Sequence, residues 1–104
     1  MRSGRGSTAQ VFLDASSWEE PADFYRALFL QIGAPVWHGD NLAALRDSMV
    51  TGHINSCPPP YEIELRGTEH LSEELRTLLK GFQDLIEEGQ AQGVPNVLRC
   101  IPPL

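Results

Sequence analysis

The sequence predicts a small α/β domain, a single unit in which a three-stranded parallel sheet packs with three main helices in the order β-α-α-β-α-β. Two observations carry this. Segments of strand length at 11–13, 61–66 and 97–101 are apolar or alternate with period two, and amphipathic helical patterns lie between them. The connections between these segments are too long for hairpins, and long crossovers bring strands together in parallel with helices covering the sheet. At 104 residues the chain is the size of one domain. A tail is expected over 1–9, which is polar and rich in Gly and Ser, and the domain over 10–104.

Val11-Phe12-Leu13 is a short apolar run closed by Asp14, as expected of a buried strand. Ser16, Ser17, Glu19, Glu20 and Pro21 then give overlapping helix-start signals. Ser17 with Glu20 spells a capping box and Pro21 suits a first turn, so the start lies between 17 and 21. Phe24, Tyr25, Leu28, Phe29 and Ile32 form one apolar face, and Gly33 with Pro35 ends the helix.

The stretch from Ala34 to Gly52 reads as an aromatic-bearing loop followed by a short helix. Pro35 and Gly39 keep its first half irregular, and Asp40 or Asn41 can cap the helix. Leu42, Leu45 and Met49 recur at spacings of three and four and face inward; Ala43, Asp47 and Val50 are expected to face outward. The prolines at 58–60 exclude helix from the next loop. Tyr61-Glu-Ile-Glu-Leu-Arg66 alternates as a half-buried strand does and stops at Gly67. Leu71, Leu75, Leu78, Leu79, Phe82, Leu85 and Ile86 mark the longest helix, with Ser72 as its cap and Gly89 or Gly93 as its end. Gly81 inside it costs about 1 kcal/mol relative to Ala. Val97–Ile101 is the last strand.

Composition narrows the function classes. A hydrophobic fraction of 41% with 21% charged residues is ordinary for a soluble globular protein. A net charge of −6 argues against nucleic-acid binding, which needs a basic footprint, and favours a basic protein partner. No run approaches the roughly 20 apolar residues of a membrane span. The basic start lacks an apolar secretory core, so a cytoplasmic location is expected, with Cys57 and Cys100 reduced. One Lys against seven Arg suits a GC-rich bacterial coding sequence.

Enzymatic signals are weak. His38, His53 and His70 lack metal-ligand spacing, no nucleophile signature or phosphate loop is present, and Glu62 with Glu64 reads as a solvated strand face. Neither metal nor cofactor is expected. Asp47 stands out because Ala43, Ala44, Val50 and Thr51 occupy every helical pairing position around it, leaving no local cation. By periodicity alone the reading of Asp47 that comes first is an ordinary solvated helix acid. Trp37 fits either a core or an exposed loop site. Asp84 lies on the polar side of the long helix, where Lys80 can pair with it.

The segment Trp37-His-Gly-Asp-Asn-Leu-Ala-Ala-Leu-Arg-Asp-Ser-Met49 resembles the signature of the barstar family, in which aromatics and Gly-acid-Asn-Leu-x-Ala-Leu lead into a helix with a central aspartate. The resemblance extends in element order over about residues 10–102. It implies an intracellular inhibitor, without catalysis of its own, that forms a 1:1 complex plugging the basic active site of a guanyl-specific microbial ribonuclease of the barnase type. By position, Asp47 matches the dominant aspartate that meets the nuclease's Arg and His groups at the phosphate site. Trp37 matches an aromatic that stacks on the catalytic histidine, and Asp84 an acid reaching the basic rim. His38, Gly39 and Asn41 hold the loop and supply contacts around it. Thr51-Gly52-His53 resembles the family's Thr-Gly-aromatic end of the short helix, displaced by one residue near Val50–Thr51. The chain departs from the pattern at Ala43, usually a second aspartate, and at Arg46, usually a tryptophan. The partner-binding set expected from the resemblance is thus Trp37, His38, Gly39, Asn41, Ala43, Arg46, Asp47, Val50, Thr51, Gly52 and Asp84. An immunity protein against a toxin nuclease, or a regulatory adaptor that no longer binds a nuclease, are the alternatives these departures leave.

Overall fold

A computed structural model describes residues 8–52 and 54–104; residues 1–7, most of the expected tail, and His53 lie outside the described residues. Strand β1 (Ala9–Asp14) is followed by α1 (Pro21–Ile32) and α2 (Leu42–Arg46), which runs on into a π-helical turn at Asp47–Thr51. Then come β2 (Tyr61–Arg66), a 3-10 turn (Thr68–His70), α3 (Glu73–Ala91) and β3 (Val97–Ile101). The sheet order is β1-β2-β3 and both pairings are parallel. The expected order and sheet type are therefore what the chain adopts. Ala9 belongs to the sheet rather than to the tail, because it pairs in register with Tyr61.

The central strand β2 explains the two layers. Tyr61, Ile63 and Leu65 are fully buried against the helices, beside Val11 and Leu13 of β1. The opposite face carries Phe12, 61% exposed, and the polar partners Gln10–Glu62, Glu64–Arg66 and Glu64–Arg99. Glu62 and Glu64 are thus a hydrogen-bonded, ion-paired surface. The open edge of β1 is covered at Phe12, whose N–H donates to Gln31 Oε1 at 2.8 Å while Gln31 Nε2 donates back to the Phe12 carbonyl. A side chain of α1 there substitutes for a further strand.

Helix α1 starts at Pro21, the last residue of the expected window, and its cap differs from the one spelled by Ser17 and Glu20. Asp23 Oδ2 accepts from the N–H groups of Glu19 and Glu20 at 2.8 and 3.1 Å. These bonds hold the Asp23 carboxyl below its ordinary pKa. At its far end Gly33 adopts φ 68°, and a Cβ there would meet Ser56 Cβ at 2.6 Å. Ser72 caps α3 as expected, accepting from Leu75 N–H. Gly93, with φ 90°, follows its end, whereas Gly89 lies inside the helix.

The core joins Phe24, Leu28 and Ile32 of α1 to Leu45, Met49, Leu79, Phe82, Leu85 and Ile86 of the other two helices. Two glycines of α3 lie against α2 and the π turn. A Cβ at Gly81 would lie 2.7 Å from Leu42 Cδ1, and one at Gly89 would lie 3.0 Å from Val50 Cγ2. At Gly81 the atom met is the tip of a flexible leucine, which a rotamer change can move aside, whereas at Gly89 it is a methyl of the buried, β-branched Val50. No helix among the described residues is long and apolar enough to cross a membrane.

Candidate partner-binding surface

The surface is built on the π turn. Asn41 is the α2 cap, its Oδ1 accepting from Ala44 N–H at 2.8 Å. From Asp47 the helix widens, and the Gly52 N–H reaches back to the Asp47 carbonyl at 3.0 Å, five residues away. A wide turn of this kind absorbs one extra residue without breaking the helix. It also corrects the expected faces. Ser48, Met49 and Val50 are all buried, so Val50 is a core residue against Gly89 and not an outward neighbour of Asp47. Asn96, fully buried, ties the turn down. Its Nδ2 donates to the Met49 carbonyl at 2.9 Å and its Oδ1 accepts from Tyr61 N–H at 2.7 Å.

His38 connects the aromatic loop to this turn. Its ring lies 4.6 Å from that of Phe29, Nδ1 is 2.8 Å from the Gly39 carbonyl, and Nε2 is 2.9 Å from Ser48 Oγ. A carbonyl can only accept, so Nδ1 carries the hydrogen, and in the neutral ring Nε2, at 2.9 Å, accepts the one Ser48 hydroxyl hydrogen in preference to the Leu45 carbonyl at 3.4 Å. With His38 turned inward at 9% exposure, its neighbour Trp37 is left 70% exposed beside a fully exposed Val36. Trp37 and Asp47 are thus sequence neighbours of the two ends of one buried hydrogen bond. Burial, and then the charge of Asp40, push the Tyr25 phenol above its ordinary pKa, where a groove of about 480 Å³ runs between α1 and the loop.

Asp47 is exposed and, among the described residues, its carboxylate makes no hydrogen bond or ion pair. Arg46 beside it is held elsewhere, its Nε 3.1 Å from Glu88 Oε1 of α3. Asp84 is exposed too, and no ion pair to Lys80 forms. Asp84 lies three residues after Gly81 and four before Glu88, the two α3 positions that meet Leu42 and Arg46 of α2. It therefore shares the α3 face turned toward α2.

Of the expected set, Trp37, Asn41, Ala43, Arg46, Asp47, Thr51 and Asp84 are exposed. His38, Val50 and Gly52 are buried and Gly39 is half-buried, so these support the surface from below. Glu88, Ser48 and Asn96 were not marked by any sequence pattern. Arg46–Glu88 and Asn96–Met49 are contacts 42 and 47 residues apart in sequence, which no spacing rule reaches. Among the described residues no group of three His, Cys, Asp or Glu side chains is placed to hold a metal ion.

A family model described as Barstar (barnase inhibitor) matches residues 8–99. Comparison with curated proteins returns no match. The match spans nearly the whole chain, from the residue before β1 into β3, and includes every element of the surface just described: the chain belongs to the barstar family.

Proposed function

We propose that this protein inhibits a guanyl-specific ribonuclease of the barnase type by forming a 1:1 complex that occludes its active site, and that it acts in the cytoplasm without catalysis of its own. The observation that carries the reading is Asp47: an exposed carboxylate, unpaired among the described residues, on a buttressed turn beside an exposed Trp37. Holding a bare carboxylate ready lowers the ordering cost of association. In the complex Asp47 takes the place of a substrate phosphate and accepts charge-assisted bonds from the nuclease's Arg and His side chains. Trp37 stacks against the catalytic imidazole, and Asp84 meets a cation at the rim. The net charge of −6 draws a basic enzyme from a distance.

The test is a titration of the protein into guanyl-specific ribonucleases while RNA cleavage is followed. Loss of activity that is complete at one equivalent supports the inhibitor. Undiminished cleavage across several such enzymes supports an adaptor instead.

A further inference from the structure

Arg46 is the one cation of α2 and its π turn, and it stands next to the bare Asp47. Its bond to Glu88 runs through Nε, and among the described residues neither Nη nitrogen makes a hydrogen bond. Both side chains of the pair are about half exposed, at 50% and 45%. An ion pair so exposed adds little to stability. It points the guanidinium across the seam between α2 and α3, with both Nη donors unbonded among the described residues. Any partner that covers Asp47 also covers the adjacent residue. A wholly basic rim would there press like charge against like charge, whereas a carboxylate would find two unbonded Nη donors matched to its geometry.

From this we infer that Arg46, aimed by Glu88, is a specificity-determining residue: it selects a partner whose basic pocket for Asp47 is bordered by a carboxylate. The inference rests on the inhibitor reading and narrows its partner to a nuclease of mixed rim charge. Ala43, exposed and uncharged on the same short helix, adds no second acid that would favour a fully basic rim.

The test uses a guanyl-specific ribonuclease with a carboxylate at its pocket rim, and the same enzyme with that carboxylate changed to the amide. Each is titrated with the full-length wild type, Arg46→Ala and Arg46→Glu. Arg46→Ala should weaken inhibition of the acid-rimmed enzyme at least tenfold and that of the amide form less than threefold. Arg46→Glu should weaken the first further and not the second. Equal effects on both enzymes, or a gain on the acid-rimmed one, overturn the inference while leaving the inhibitor reading intact. Failure of the wild type to inhibit these forms and several other guanyl-specific ribonucleases overturns both. Unchanged thermal melting of Arg46→Ala shows that the effect is on recognition and not on folding.

Discussion

The hydrogen bond between His38 Nε2 and Ser48 Oγ, 2.9 Å long, is the strut between the aromatic loop and the π turn, and it can be measured. Ser48 is completely buried and His38 nearly so. Ser48→Ala leaves Nε2 as a buried acceptor without a donor, a loss of about 1–3 kcal/mol. His38→Phe keeps a ring against Phe29 but gives up the bonds to Ser48 and to the Gly39 carbonyl, each worth about 1 kcal/mol net. In the double variant no imidazole remains to be orphaned by the loss of the hydroxyl, so it should cost less than the sum of the single changes. The coupling expected of two contacting residues is about 0.5–3 kcal/mol. Urea denaturation of the wild type, both single variants and the double variant closes the cycle. At a domain of this size Ser48→Ala should also lower Tm by about 4–8 °C for each kcal/mol lost. Additive effects, with coupling near zero, would show that the two side chains do not bond and that Trp37 is not held by this route.

Other consequences concern the faces, the latch and one carboxyl. Val50→Asp should unfold the protein or cost more than about 3 kcal/mol, since it buries a charge against Gly89; Ala43→Asp on the exposed side should stay within about 0.5 kcal/mol in thermal melts. Equal tolerance of both would restore the regular helix in place of the π turn. Asn96→Ala orphans the Met49 carbonyl and the Tyr61 N–H, about 1–3 kcal/mol each, and should speed amide exchange at Tyr61. The carboxyl of Asp23 is depressed in the folded state, so its contribution is complete above the unfolded value of about 3.9 and fades as pH falls through the lower folded value. Carboxyl NMR titration reads this directly, and a midpoint at or above the unfolded value contradicts the assigned cap.

The strands, the three helices and the parallel order were legible because each depends on local pattern. Tyr61-Ile63-Leu65 alternates, Leu75-Leu79-Phe82-Ile86 recurs with helical period, and Ser72 and Asn41 are local caps. Asp47 and Trp37 were legible as residue types, and their exposure follows from which neighbours turn inward. What periodicity misplaced was Val50, since a 3.6-residue repeat has no term for a turn that widens to five. The supports were illegible for a different reason. A histidine in a Pro/Gly loop, a serine on a helix and an asparagine before a strand are common residues, and only tertiary contact makes them His38, Ser48 and Asn96 of one network. The cap of α1 shows the same limit at short range: two acids and two serines compete, and the chain geometry selects Glu20 as the cap with Asp23 reaching back to its N–H.

The most direct test of the account is the inhibition constant of Asp47→Ala against a guanyl-specific ribonuclease that the wild type inhibits. Truncating one member of a buried charge pair costs about 2–5 kcal/mol, roughly 30-fold to several thousand-fold in affinity, a range that barnase–barstar itself helped to set. Asp84→Ala, at the rim, should cost about 1 kcal/mol or less and mainly slow association as salt is raised. A loss in that large range for Asp47→Ala alone is the predicted result. Inhibition equal to wild type by the Asp47 variant would contradict it.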